Sequence, residues 1–596
     1  MKKTTRFIAI KGSLNKFCKN DFLKAKLNEI TLNVNKIIFE AYLFANVHII
    51  RLLRQNKPIP TLNQKFFTNV LQLSSKTYKR KEMECKDKEL LLSYEVYKQN
   101  HPSDYQVGYR DYITSILNYI ALEMETAMQN HLVLNFYKRF FRYIKNKHPT
   151  LSKSEVYEIC KGLYDKNYQL DNPIVLQYRQ ILNNIPPDER LSKINPSSIL
   201  QIYDEILTYN RNNNLRLFSL LPLKQSFNMS YITLDKNGLR DLIVQDALLP
   251  GKKGEVRKFV EENPSLVYNQ FFNIQRYESD KKNFIFFKTD GVSVSVVLEY
   301  QDAKIEHLPT KRKRDDDNEP VVASSDYDLM VGIDPGLRYV FVGKSNENID
   351  KKKSSIRMSS KQYYHDCKFN WKTQKQQRSY KNHQQWMDYS SNMPTSKTND
   401  ISELQNYLRH ALKGLDMALQ LHFINPFRKW KFKTFIYKQK TFHKILQMIT
   451  TKRTEADPKK VIVGFGNWGN PRDSIIRGHQ RGPVKEIKDK LKRWCELVDV
   501  DEFWTSKLCC CCYSETAKVK FNEKEINSVL RCSNNECGIT IDRDINGASN
   551  IFMLLTKMVQ KERRPEPFCR PRQPNVFNKK TCREIRNETQ RTQGEC

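Results

Sequence analysis

Four cysteines in two pairs constrain this chain more than any other feature of its sequence. Cys509 and Cys512 form a C-x-x-C pair; after a gap of 19 residues, Cys532 and Cys537 bracket four more. Two thiolate pairs, each on a turn, supply the tetrahedral sulfur set that Zn2+ favours. Four thiolates leave no open position for water, so the expected metal is structural. Cys510 and Cys511 make the first pair ambiguous, and the outer two best match the spacing of a ribbon knuckle. Of 14 cysteines, 6 lie between Cys509 and Cys537. A disulfide framework would spread them more evenly, so a reducing compartment is expected.

Charge narrows the partners. The 101 Lys and Arg against 66 Asp and Glu leave a formal charge of +35. Such a surface repels itself unless polyanions lie nearby, and phosphate backbones are the commonest of these. A hydrophobic content of 39% with 11% aromatics is that of a globular protein and excludes a purely basic tail. The 596 residues leave room for several domains. No apolar stretch approaches a membrane span, and the opening MKKTTRFIAIKGSLNKF lacks a signal-peptide core. No membrane partner is expected.

Patterning along the chain predicts an α+β multidomain protein. Arg6 to Lys11 alternate as a strand. From about 35 to 215 the period turns helical, with Ile37, Ala41, Phe44 and Val47 on one face and Ile113, Ile116, Ile120 and Met124 on another. Residues 130–148 mix Arg and Lys with aromatics, either as a basic solvent face or for nucleic-acid contact. Residues 216–305 read as strand-rich, with a hairpin turning at Thr289-Asp290-Gly291. Residues 310–326 read as an exposed linker carrying the basic cluster Lys311-Arg312-Lys313-Arg314, which an import receptor could read. The tail from 561 is rich in Pro and Arg and reads as mobile or bound along nucleic acid.

Two separated acids carry the candidate chemistry. The strand Tyr327–Ile333 ends in Asp334-Pro335-Gly336 and is followed by a second strand, Arg338–Gly343. Asp-Pro-Gly is also ordinary turn chemistry. Far downstream, Ile541 ends a strand and a helix begins, placing Asp544 in its first turn, with Asp542 or Asp544 as its cap. A strand-end Asp and a helix-start Asp suit a ribonuclease H-like site, in which carboxylates hold two Mg2+ ions roughly 3.5–4 Å apart. A third acid is expected at the end of a middle strand. Val461-Ile462-Val463 is followed by Gly464, so the choice falls on Glu502, which shares a strand face with Val498 and Val500 while Asp501 points away.

GIDPG (332–336), TSKLCCCC (505–512), the Cys532/Cys537 pair with Gly538, and DRDINGASNI (542–551) stand in the order found in the TnpB nucleases. With DEFWTSK (501–507), FGNWG (465–469) and FKTDGVSVSV (287–296), they more closely resemble the Fanzor nucleases, eukaryotic and viral relatives of TnpB. The specific match covers about 327–560.

The resemblance implies an RNA-guided DNA endonuclease whose partners are a guide RNA and a target double-stranded DNA, one protein chain per guide RNA, acting in the nucleus. It implies Asp334, Glu502 and Asp544 as catalytic acids, Mg2+ as their cofactor, and Gly464 where TnpB proteins carry their middle Glu. It also implies a division into a split wedge-type β domain (1–40 and 216–309) with a helical recognition insert (41–215), then the linker (310–326). A RuvC core (327–504 and 541–560) follows, interrupted by a zinc ribbon (505–540), and the basic tail (561–596) ends the chain. Two other readings stay open: a catalytically inactive transposon-encoded nucleic-acid-binding regulator, and an unguided structure-selective nuclease.

Overall fold

The computed structural model describes residues 5–77, 85–163, 172–182, 196–224, 226–279, 282–301, 326–348, 355–424, 426–450, 460–467 and 482–570. The basic cluster at 311–314 and the tail beyond 570 lie outside the described residues. The chain divides into two compact units, one of 1–308 with 372–433, the other of 309–371 with 434–596.

In the first unit, strand β1 (Thr5–Ser13) pairs antiparallel with β4 (Ser293–Gln301). β3 (Lys282–Thr289) lies on the far side of β4, and β2 (Ile232–Asp235) closes the order β1-β4-β3-β2. The predicted hairpin joins β3 to β4. Asp290 Oδ1 accepts from Val292 N and Ser293 N at 3.1 and 2.8 Å, and Gly291 takes the left-handed φ of +84° that the turn requires.

Helix α1 (Asp21–Arg54) is the hub of this unit: every residue from Ile37 to Ile50 except Tyr42 is buried. A helix buried on all sides must be surrounded, and the shorter helices Gln64–Leu73 and Lys88–Lys98 pack against it. α1 is capped at its start by the Asn20 side chain, 2.9 Å from Leu23 N, and runs through the expected boundary at residue 40. α2 (Thr114–Lys147) buries Ile116, Ile120, Met124, Leu132, Phe136 and Phe140 along one stripe.

Two expectations are corrected in this unit. Residues 216–309 are not uniformly strand-rich: helices Lys236–Gln245, Lys253–Glu262 and Pro264–Phe271 lie between β2 and β3, and 215–223 form no strand. Short apolar runs do not separate strand from helix, and Asp235, accepting from Gly238 N at 2.8 Å, starts the first of these helices. Residues 372–433, expected within 327–504 as nuclease core, cluster instead with the first unit. There, α3 (Ile401–Lys413) and α4 (Leu415–Ile424) pack on α1 through Leu404, Leu408, Leu412 and Leu419.

The second unit is built on a mixed sheet in the order β9-β8-β5-β6-β7. β5 (Leu329–Asp334), β6 (Tyr339–Ser345) and β7 (Ile356–Ser359) form an antiparallel meander, and β8 (Val461–Gly466) and β9 (Glu496–Val500) add parallel to β5. α5 (Phe427–Ile449) contributes Phe442, Ile445, Leu446 and Ile449 to one sheet face, with α6 (Val484–Leu491). The opposite face is covered by α7 (Arg543–Val559), through Ile551, Leu554 and Leu555.

Gly332 explains how closely α7 approaches: a Cβ there would fall 2.3 Å from the backbone nitrogen of Phe552. Between β9 and α7 sits a small antiparallel sheet of β10 (Thr516–Phe521), β11 (Lys524–Cys532) and β12 (Thr540–Asp542). Among the described residues, no helix is long and apolar enough to cross a membrane.

Candidate active site and metal centre

β5, β8 and β9 run parallel, so their C-terminal ends open at one edge of the sheet, the usual location of sites in such sheets. β5 ends in Asp334. β8 ends not at Gly464 but two residues later, at Gly466, paired with Val500 of β9. Gly464 lies within the strand, where a Cβ would meet Leu555 and Val500 at 3.1 Å, so it is not the rim position.

At the rim, Gly466 leaves an empty place that a neighbour fills. A Cβ built on it would lie 1.9 Å from Oε1 of Glu502. The carboxylate from beyond β9 thus reaches over the end of the middle strand. Asp501 is turned elsewhere, with its carboxylate accepting from Arg570 Nε and a second Arg570 nitrogen, both at 2.9 Å. Arg570 and Arg564 hold the Asp501 carboxyl below its ordinary range. Arg564 also donates to Asp501 O at 2.7 Å, and buried Phe568 sets its ring edge-on to Tyr513. The first ten residues of the expected mobile tail are therefore fixed against the segment that carries Glu502.

From the other side, α7 brings Asp544 to the same edge. Asp542 is its cap, accepting from Asp544 N at 3.0 Å and Ile545 N at 3.4 Å, which leaves the Asp544 carboxylate for other work. Gly547, one turn further on, has no side chain to fill the space beside Asp334: a Cβ there would stand 2.4 Å from Asp334 Oδ2. Burial pushes the Asp334 carboxyl well above its ordinary range, the charges of Glu502 and then Asp544 push it further, and Arg543 opposes them. Asp544 is also raised, first by burial and then by Asp542, against Arg543 and Arg338. Like charges gathered in this way call for a cation.

The three acids come from segments 168 and 42 residues apart (334 to 502, 502 to 544). Their oxygens do not all lie within 4.8 Å of one another, as the ligand atoms of the cysteine set do. Two ions roughly 3.5–4 Å apart spread their ligands more widely than a single ion does.

Among the described residues, Cys509, Cys512, Cys532 and Cys537 are the one set whose ligand atoms all lie within 4.8 Å of one another. The Sγ–Sγ separations are 3.8 Å for Cys509–Cys537 and 3.4 Å for Cys512–Cys532. Tetrahedral Zn–S bonds of about 2.3 Å require edges of roughly 3.8 Å, so the set fits a structural zinc. The outer pair of the four-cysteine run is the one in place. Cys511 is exposed, and Cys510 donates its N–H to Asn546 Oδ1 at 2.9 Å.

Two asparagines were missed in the sequence. Asn546 and Asn550, both fully buried on α7, each donate to Leu508 O at 2.8 Å and to Thr505 O, at 3.4 and 2.8 Å. They tie the loop between Glu502 and the first cysteine pair to the helix that carries Asp544. Their signal was a pair of poor helix formers four residues apart in an amphipathic helix.

Residues 485–551, which span β9, the cysteine set and the start of α7, match the family model described as Cas12f1-like, TNB domain. No curated protein matches the chain. Among solved structures, it is similar to the cryo-EM structure of the Cas12f1-sgRNA-target DNA complex, at 12% identity and a TM-score of 0.26, covering 92% of this chain and 99% of that one. It is also similar to the mini-RNA-guided endonuclease CRISPR-Cas phi3, at 10% identity and a TM-score of 0.28, covering 96% and 94%. Superposition at that level fixes neither fold nor activity.

Proposed function

We propose that this chain is an RNA-guided DNA endonuclease of the TnpB and Fanzor kind, with a RuvC-type, RNase H-like core. The observation that carries this reading is the electrostatic meeting of Asp334, Glu502 and Asp544 at the edge where three parallel strands end, with glycines 466 and 547 giving their carboxylates room. The mixed five-stranded sheet, the interposed cysteine set and the Cas12f1-like match over 485–551 support it.

In this reading, Asp334 sits at the centre of the acid group. Glu502 and Asp544 flank it, and the three carboxylates would be the residues that hold the catalytic metal. Two Mg2+ ions would supply an activated water and stabilise the leaving oxygen. Arg338 and Arg543 temper the acids' repulsion without replacing the ions, since their charges lower the Asp544 carboxyl but leave it above its ordinary value. The +35 charge would hold a guide RNA paired with target DNA, with base pairing choosing the sequence. One chain per guide RNA is proposed, as is nuclear import through Lys311–Arg314.

The test is purification followed by sequencing of bound RNA, then incubation with a DNA matching that RNA. One defined RNA and Mg2+-dependent cleavage, lost in Asp334→Ala with RNA retained, is the expected result. A bound RNA with no cleavage would leave the inactive regulator in its place, and cleavage independent of RNA would leave the unguided nuclease.

A further inference from the structure

Two residues beyond Glu502 stands a tryptophan to which nothing above gives a role. Trp504 is 37% exposed and takes a left-handed φ of +61°. Thr505 N donates to Glu502 O at 3.1 Å and closes a turn over Phe503 and Trp504. A left-handed φ at the second of two central turn residues ordinarily falls to Gly or Asn. A bulky side chain there strains the backbone, and such strain persists only where the surroundings over-determine it.

Here the surroundings do so. Thr505 Oγ1 also donates to Glu502 O, at 3.0 Å, and Trp504 O accepts from Lys507 N at 2.9 Å and Leu508 N at 3.1 Å. Thr505 O and Leu508 O are the two carbonyls that Asn546 and Asn550 hold from α7. The main chain around Trp504 cannot relax without breaking these bonds. Its ring lies nearly parallel to that of Phe503, with centroids 5.6 Å apart and 19° between the planes. Lys507 Nζ is 5.6 Å from the centre of the Trp504 ring, and the guanidinium carbon of Arg570 is 5.2 Å from that of Phe503. A single exposed aromatic side chain needs no explanation. A stacked pair with a cation at each ring, strained into place by the loop that delivers Glu502, does.

We propose that Trp504 is a stacking platform for an unpaired nucleobase of the DNA strand entering the acid site. The substrate class rests on the guided-nuclease reading, and the platform rests on the geometry. Two residues of chain span at most about 7 Å, and about two stacked nucleotides cover the same length. A base on Trp504 therefore lies close to a phosphate held beside Glu502. Every base has a π-face, so the platform holds a strand without reading it, as suits a nuclease whose sequence choice lies in base pairing. Lys507 and Arg570 supply positive charge beside the rings for the backbone phosphates that accompany such a base. Trp504 touches a base and not the reacting atoms, so it is a positioning residue.

The test is single-turnover cleavage, by full-length protein with the RNA it carries, of matched DNAs in which one nucleotide at a time around the cut is made abasic. In wild type, a position within about two nucleotides of the cut should slow cleavage at sub-saturating protein by about 5- to 150-fold, whichever base is removed. Trp504→Leu should lose a similar factor on intact DNA and lose the abasic-sensitive position. Trp504→Phe should keep that position and most of the rate. Both variants retain the strained φ and an apolar side chain beside Phe503, so a packing role would leave them alike. A nucleotide that matters through pairing with the RNA stays sensitive in every variant. Thermal melting checks that both variants fold, and the wild-type scan needs no variant.

Loss of the sensitive position in Trp504→Leu, with its retention in Trp504→Phe, supports the platform. A wild-type scan without such a position, or leucine and phenylalanine variants that respond alike, would overturn it while leaving the nuclease reading intact. Wild-type protein that cleaves no matched DNA would remove that reading, and the platform with it.

Discussion

Gly547→Ala isolates the acid cluster from everything else the helix does. A methyl group there would stand 2.4 Å from Asp334 Oδ2 and 3.2 Å from its Cγ. Normal contact requires the carboxylate to retreat by roughly 1 Å. A displacement of that size at a reacting centre costs about 10²-fold in rate, or about 2.7 kcal/mol of barrier. The helix itself gains, since Ala is favoured over Gly by about 1 kcal/mol in a helix interior. The expected variant therefore melts within a few degrees of wild type, retains its RNA, and cleaves matched DNA about 10²-fold more slowly in single-turnover reactions with Mg2+. Wild-type cleavage by this protein would show that the Asp334 carboxylate is not held where the chemistry needs it, and the argument from the glycines would fail with it.

Glu502→Gln should reduce cleavage by about 10²-fold or more, whereas Asp501→Asn, which loosens a half-exposed pair with Arg570 and keeps an oxygen to accept from Phe503 N, should cost about 1 kcal/mol of stability or less. Equal loss in both would reassign the third acid. Cys532→Ser should lower zinc content by mass spectrometry and destabilise the protein by several kcal/mol, and an unchanged metal assay would disprove the zinc site.

Without divalent cations, the folded chain holds a proton on Asp334 that the unfolded chain releases above its ordinary value of 3.8. Stability should fall as pH rises from there, and less so in Asp334→Asn; identical pH profiles would refute the proposed repulsion. Glu40, fully buried beside His101 in the first unit, is pushed up to about 8 from 4.5 by burial. Its folded-state proton contributes stability that is lost as pH climbs through that window, so Glu40→Gln should flatten the melting profile between pH 5 and 9. A parallel profile would show the carboxyl to be ionised.

What could be read from the sequence was local. Asp334 at a strand mouth, Asp544 in a first helical turn and the turn at Gly291 each follow from a few consecutive residues, and the structure forms those elements at those positions. The outer cysteines were legible because metal geometry dictates spacing. The emptiness at Gly466 and Gly547 was not, because a glycine's use depends on which carboxylate arrives from elsewhere in the chain. Nor was the choice between Asp501 and Glu502 fully legible: it turns on Arg570, 69 residues further on. Residues 372–433 read as continuous with the nuclease core because amphipathic helices carry no address, and only the buried face of α1 reveals where two of them belong.

Asn546 and Asn550 close over the same two carbonyls, so the ribbon and the helix beside it cannot loosen independently. A thiophilic agent that attacks the sulfur cage therefore has a short mechanical route to the acids without ever touching them: cage, knuckle loop, paired amides, helix end. Vulnerability in such a protein is shared across parts that look separate in the sequence.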